Sequence, residues 1–114
     1  MRKDDIIRLR HMLDAAREAQ GFAATRSRPD LDHDRQLVLA LVKAVEIIGE
    51  AASRVSTECR LACSEIPWQD IIGMRHRLTH GYYDIDVDIV WSTVIDDLPT
   101  LVAQLQRALT TASQ

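Results

Sequence analysis

The stretch "GMRHRLTHGYYDID", residues 73 to 86, holds two arginines, two histidines and two tyrosines. Cleavage of RNA without a metal needs a base for the ribose 2′-hydroxyl and a cation for the phosphate, whose charge grows in the transition state. Histidine suits the first role because it titrates near neutral pH, and the planar fork of arginine suits the second. Arg75 and His80 are therefore candidates for a nucleolytic pair.

The spacing of this pair sets a condition on the local structure. Five residues of an ideal helix turn the chain through about 140°, so Arg75 and His80 converge only if the helix ends before His80. Gly81 is suited to the residue just beyond a helix end and predicts such a stop. A two-fold dimer would place two Arg-His sets around one phosphate, with one histidine as base and its mate as acid.

Two other interpretations of the stretch compete with the nucleolytic one. Cys59 and Cys63, then twelve residues, then His76 and His80 match the loose spacing of a Cys2His2 zinc finger. The long amphipathic segments on both sides argue against a finger, and the two cysteines also suit a buried apolar role. Alternatively, the arginines lie on a solvated surface and His80 only interacts with the last carbonyls of a helix.

The composition indicates one all-α domain spanning residues 1–114, with a core over roughly 4–110. The chain is 46% hydrophobic but only 4% aromatic, a balance that suits packed helices. The formal net charge of −3 disfavours an overall basic nucleic-acid-binding surface but allows a local cationic pocket. Two cysteines, no signal-like start and no apolar run near the roughly 20 residues of a membrane span predict a soluble, cytoplasmic protein.

Apolar periodicity predicts four main helices with short connections, most simply a bundle. The predicted helical segments are 3–24, 35–55, 66–80 and 87–110, with polar connections at 25–34 and 56–65. Gly49 is costly inside a helix and indicates close approach of another backbone. Pro67 suits a first helical position, and Pro99 should kink the last helix near residues 95–98. Glu50 and Arg54 are expected either to line a cleft or to form an ion pair.

The chain resembles the HEPN superfamily, specifically the HepT-like toxins of HepT/MntA-type toxin–antitoxin systems. The hallmark of these toxins is Arg, four residues, His, one residue, Tyr, which matches Arg75, His80 and Tyr82. "KAVEIIGEAASRVS" (43 to 56) and "IPWQDIIGMRHRLTHGYYDIDVDIVWSTVIDDLP" (66 to 99) follow the family's second helix and its order of elements. His76 departs from the pattern, because Asn is common there.

The resemblance implies a four-to-five-helix HEPN-type bundle that forms a homodimer and cleaves RNA, either mRNA or tRNA, without a metal or other cofactor. Arg75 would hold the scissile phosphate, His80 would be the acid/base and His76 a supporting polar group. It also implies a partner, an MntA-like nucleotidyltransferase antitoxin that uses ATP to AMPylate Tyr82 and so inactivates the toxin; the adjacent Tyr83 is the other candidate for modification. The alternative is a non-catalytic helical adaptor of that nucleotidyltransferase.

Overall fold

A computed structural model of the chain describes residues 1–80 and 84–112, with the description of His80 confined to its backbone. Apart from two short strands, the regular structure in these residues is helical, which confirms the predicted all-α class. The helices are α1 Lys3–Ala23, a 3₁₀ turn Arg28–Asp32, α2 Arg35–Ser53, α3 Thr57–Ala62, α4 Trp68–Ile72, α5 Met74–Leu78, α6 Val87–Ser92, a π segment Thr93–Asp97 and α7 Leu98–Ala112. No helix within these residues is both long and apolar enough to cross a membrane.

Helix α2 is the centre of the bundle. Its buried side chains lie on a wide arc that includes Leu41, Val45 and Ile48, each fully buried. The helix packs most extensively on α1 and also contacts α4, α5 and α6. A helix with several neighbours must be apolar over more of its circumference than a surface helix. The prediction that this segment is buried against several neighbours is confirmed.

The amino end of α1 is joined to the start of α3 through a buried carboxylate. Asp5 is 4% exposed and accepts hydrogen bonds from the backbone N–H of Ser56 at 2.8 Å and from its hydroxyl at 2.7 Å. Burial raises the pKa of Asp5, but the bonds from Ser56 and the charge of Arg2 outweigh it and hold the pKa below its ordinary value. The ionised carboxylate therefore stabilises this junction.

Gly49 allows the backbone of α4 to lie directly on α2. A Cβ at this position would lie 3.3 Å from the carbonyl oxygen of Ile71 and 3.5 Å from that of Ile72. The close approach predicted from the cost of a mid-helix glycine is confirmed. Ile72 is the last residue of α4, so this contact lies directly before Gly73 and the start of α5.

The segment predicted as one helix over 66–80 is two short helices. Pro67 precedes the first helix instead of opening it, and Gly73 separates α4 from α5. The predicted stop at Gly81 is wrong, because α5 ends at Leu78 and Thr79 is already extended, with φ −130° and ψ 139°. Strand β1, Thr79–His80, then pairs antiparallel with β2, Asp84–Ile85. Backbone pairing with β2 ends the helix earlier than glycine chemistry would.

The last predicted helix is interrupted where Pro99 suggested. The π segment Thr93–Asp97 lies between α6 and α7, directly before Leu98 and Pro99. Proline has no N–H and its ring crowds the preceding turn, so the regular α-helical ladder is disrupted there. The predicted loop at 25–34 also differs, since it contains the 3₁₀ turn, whose Ser27 and Asp30 form a capping box.

We expect Asp5→Asn to lower the free energy of unfolding by about 1 to 2 kcal/mol at pH 7, because it removes a buried, hydrogen-bonded charge. The folded-state pKa lies below the unfolded value, so this stabilisation is present above about pH 4 and is lost as the pH falls through the folded pKa. Urea unfolding from pH 7 to pH 2 measures it. Asp4→Asn, at an exposed neighbouring position, is the control. A stability difference for Asp5→Asn that stays constant down to pH 2 contradicts the account.

A pair of glycine substitutions tests the contact between α2 and α4. Gly21 lies in α1, and a Cβ added there would meet no atom within 4 Å, so Gly21→Ala should gain about 0.5 to 1 kcal/mol from helix propensity. Gly49→Ala should not show this gain, because the added methyl group would lie only 3.3 Å from the carbonyl oxygen of Ile71. Thermal or urea unfolding of both variants decides, and an equal stabilisation by both would contradict the close contact.

Candidate active site

Helix α5 holds the arginine of the motif on a short, anchored turn. Met74 and Leu78, four residues apart, are 3% and 0% exposed and fix the two ends of the helix in the core. Residues four apart lie on one helical face, so the three residues between them project away from it. Arg75, His76 and Arg77 are accordingly exposed.

Arg75 is held from one side by Glu46 of α2. Its Nε donates to Glu46 Oε1 at 2.8 Å, and Lys43 Nζ lies 3.8 Å from the other oxygen of the same carboxylate. The Arg75 side chain is 53% exposed, so this pair contributes orientation more than stability. The two terminal nitrogens of Arg75 donate no hydrogen bond to any described residue. Those nitrogens are the ones that bind a phosphate in a bidentate manner.

Arg75 lines a groove of about 600 Å³ between α1, α2 and α5, which we call the basic groove. Its charged side chains are four cations and two carboxylates, namely Arg8, Lys43, Arg54, Arg75, Glu46 and Glu50. His11 lies beside them, and Ile47 and Ala51 supply apolar surface. The chain as a whole has a net charge of −3, so the basic groove is the local cationic pocket that the sequence left open.

Glu50 and Arg54 were expected either to line a cleft or to form an ion pair, and in the structure they do both. They line the basic groove, and they also form an ion pair, with an Arg54 terminal nitrogen 2.8 Å from Glu50 Oε1. The two carboxylates of the groove thus each hold an arginine, Glu46 holding Arg75 and Glu50 holding Arg54.

The two other basic residues of α5 lie apart from the groove. His76 is exposed and makes no side-chain hydrogen bond to a described residue. Arg77 lines a separate groove, between α4 and α7, and donates to the backbone oxygen of Asp70 at 3.4 Å. Residues 75 and 77 are separated by about 200° on a helix, which explains why the two arginines reach different surfaces.

His80 lies on β1, and its backbone is paired with Asp84 of β2. The helix ends two residues before His80, at Leu78, as convergence with Arg75 requires. The backbone N–H of Asp86 donates to the oxygen of Leu78 at 2.8 Å, and the Asp86 carboxylate caps α6 at Ile89. The predictions for the His80 side chain and for Tyr82 and Tyr83 lie outside the described residues.

Cys59 belongs to the core and not to an exposed metal site. It is 3% exposed, and burial together with the neighbouring Cys63 raises the pKa of its thiol to about 12. Among the side chains that the structure describes, no three His, Cys, Asp or Glu residues are grouped closely enough to hold a metal ion.

Arg8, His11, Lys43 and Glu46 line the basic groove but were not singled out in the sequence. A signal for them exists in the spacing. Positions 43, 46, 50 and 54 recur every three to four residues, forming a charged stripe along an otherwise apolar α2, and positions 8 and 11 do the same on α1. The two stripes line one groove because α1 and α2 pack side by side, and the sequence alone does not show that packing.

The family model and the relatives that this chain matches are named as ribonucleases. The family model "Ribonuclease HepT-like" matches residues 12–108. "Probable ribonuclease HepT" of Thermococcus cleftensis is 35% identical over 74 residues, which cover 65% of this chain and 67% of that protein. "Putative RNase TTE0752" of Caldanaerobacter subterraneus subsp. tengcongensis is 38% identical over 80 residues, 70% of this chain and 71% of that protein. No solved structure matches the chain.

The matched region contains the second half of α1, the whole of α2 and the entire motif segment. The residues of the basic groove on α2 and α5 lie within it, whereas Arg8 and His11 precede it. A match over this length shows that the chain belongs to the ribonuclease HepT-like family of the HEPN superfamily.

Proposed function

We propose that the protein is a metal-independent endoribonuclease and the toxin of a toxin–antitoxin pair. The single observation that carries the proposal is the state of Arg75. Glu46 orients Arg75 through Nε, and the terminal nitrogens of Arg75 donate no hydrogen bond to a described residue. Arg75 also lines a groove with more cations than carboxylates. Membership in a family named for ribonucleases supports the interpretation of this arrangement as a phosphate-binding site.

The proposed chemistry is transfer of the phosphoryl group within the RNA strand. His80 takes the proton of the ribose 2′-hydroxyl, and the 2′-oxygen attacks the adjacent phosphorus. The bond from phosphorus to the 5′-oxygen breaks, and that oxygen takes a proton from an acid. Arg75 stabilises the charge that develops on the phosphate, which remains on the upstream ribose as a 2′,3′-cyclic ester while the 5′-hydroxyl leaves.

A homodimer would supply the second proton-transfer group, because the histidine of the partner subunit can serve as the acid. The exposed apolar side chains Ile7, Leu39 and Ile47 on α1 and α2 lie on elements that border the basic groove and offer surface for a second copy. His76 is assigned a supporting role toward RNA, since its exposed side chain follows Arg75 directly and is not engaged by any described residue.

Regulation is proposed to act on Tyr82 through an MntA-like nucleotidyltransferase. The Tyr82 oxygen would attack the α-phosphorus of ATP, releasing pyrophosphate and the phenolic proton. The product carries a negatively charged phosphodiester two residues from His80. That charge would compete with the RNA phosphate for Arg75.

We expect purified protein to cleave RNA in EDTA, and His80→Ala and Arg75→Ala each to slow cleavage at least about 100-fold, the usual effect of losing an acid/base or a transition-state cation. Gel analysis of an end-labelled RNA measures the rate and shows whether a cyclic phosphate end forms.

The matched controls are His33→Ala and Arg107→Ala, both exposed and outside the lining of the basic groove. Cleavage that requires a divalent metal, or that survives His80→Ala unchanged, contradicts the mechanism. Absence of any cleavage together with a stable complex with the nucleotidyltransferase would support the adaptor instead.

Co-expression with the cognate nucleotidyltransferase tests the regulation. We expect the intact mass to rise in steps of one adenylyl group and the modified protein to lose its RNase activity. Tyr82→Phe should abolish the mass gain, whereas Tyr83→Phe, its neighbour, should retain it. Modification that persists in Tyr82→Phe and disappears in Tyr83→Phe would move the switch to the other tyrosine.

A further inference from the structure

The positive charge of the basic groove extends well beyond the motif. Arg75 contacts Glu46 within it, and the α2 residues that line it run from Lys43 to Arg54. Eleven residue steps along a helix span about 16 Å at 1.5 Å per residue, which is more than one phosphate group needs. A groove of this length can hold the scissile phosphate and at least one neighbouring phosphate.

The cations of this groove differ in how they are neutralised. Arg75 and Arg54 each have a carboxylate at 2.8 Å. Lys43 shares Glu46 with Arg75 and is only loosely engaged, at 3.8 Å, with 71% of its side chain exposed. Arg8 has no ion pair or side-chain hydrogen bond to any described residue, although it is half-buried.

A partly buried cation without a counter-ion has lost part of its hydration, so it gains more than a fully exposed cation from an anion that reaches it. Surplus positive charge gathered in one groove is also unfavourable, because the cations repel one another. Both features become favourable when an external polyanion enters the groove. The unpaired Arg8 and the loosely paired Lys43 thus indicate a ligand with more than one negative charge.

We propose that Arg8 and Lys43 form a second phosphate-binding region for single-stranded RNA in the basic groove, with Lys43 beside Arg75, with which it shares Glu46, and Arg8 on α1. The inference rests on the proposed ribonuclease function and deepens it by assigning the path of the substrate. Arg8 binds a phosphate of a neighbouring nucleotide from α1, and Lys43 contacts the backbone from α2. His11, beside Arg8 on the same face, is placed to hydrogen-bond the backbone as well.

The composition of the groove defines the mode of recognition. Its described lining contains no aromatic ring of Phe, Tyr or Trp on which a base could stack. Contacts from arginine, lysine and histidine to phosphates position a strand without reading its sequence. Arg8 and Lys43 therefore contribute affinity for any RNA sequence, and base preference must come from residues elsewhere.

Fluorescence anisotropy with a labelled single-stranded RNA of mixed sequence, roughly 12 nucleotides long to exceed the length of the groove, tests the proposal in EDTA and in the His80→Ala background that prevents cleavage. Arg8→Gln and Lys43→Gln should each weaken binding roughly fivefold to tenfold near 0.1 M salt. Each should also reduce the slope of log affinity against log salt by about 0.7, the value for one lost phosphate contact on a single strand. A second RNA of different sequence should show the same losses.

Three variants make the result specific. Arg107→Gln removes the same charge from an exposed arginine outside the groove and should leave affinity and slope nearly unchanged. Arg8→Lys keeps the charge and should keep most of the slope. Glu50→Gln removes a carboxylate from the groove and should tighten binding roughly twofold to threefold, an opposite sign that general destabilisation cannot produce.

The outcomes separate this inference from the proposed function. RNA binding and cleavage that are intact in Arg8→Gln and Lys43→Gln, as in Arg107→Gln, overturn the second phosphate site and leave the ribonuclease assignment standing. A parent protein that neither binds nor cleaves RNA overturns both. Should Arg8→Gln fail to fold, Lys43→Gln, with its exposed side chain, decides by itself.

Discussion

The contact between Gly49 and the last residues of α4 determines where the candidate site lies. Two carbonyl oxygens of α4 lie within 3.5 Å of the position a Cβ would take at Gly49, so the glycine allows α4 to pack closely on α2. The chain turns at Gly73 directly afterwards, and α5 begins with Met74 inserted in the core. Arg75 is the next residue, and it reaches Glu46, three residues before Gly49 on the same helix. One turn of α2 thus holds both the glycine on which α4 packs and the carboxylate that orients Arg75.

Electrostatics then distinguishes this part of the surface from others. Other ion pairs in the described chain have at least as many carboxylates as arginines. Arg26 pairs with Asp30 and Asp34, and Arg107 pairs with Glu65. In the basic groove the carboxylates are too few to pair fully with the cations around them. The contrast between a net acidic chain and a locally basic groove favours binding of a polyanion at this place. It also reconciles an acidic isoelectric point with a nucleic-acid substrate.

Much of this organisation could be predicted from the sequence, because its causes are local. The long helices follow from apolar periodicity, the break before α7 from Pro99, and the contact at Gly49 from the cost of glycine inside a helix. The end of α5 could not be predicted. The helix ends at Leu78 because the next residues, in β1, pair with β2, and no single residue type in the sequence indicates that pairing. Arg8 and His11 were missed for a similar reason. Their spacing is that of any solvated helix face, and only the packing of α1 beside α2 makes them neighbours of Arg75.

The proposed function depends above all on one contact, in which the terminal nitrogens of Arg75 receive an RNA phosphate while Nε stays on Glu46. A crystal structure of the protein with a 2′-O-methyl RNA oligonucleotide, which cannot be cleaved by this chemistry, tests it directly. We expect one phosphate in bidentate contact with Arg75, at about 2.7 to 2.9 Å, with the strand continuing along the basic groove. RNA bound on another surface, with Arg75 contacting Glu46 alone, would contradict it.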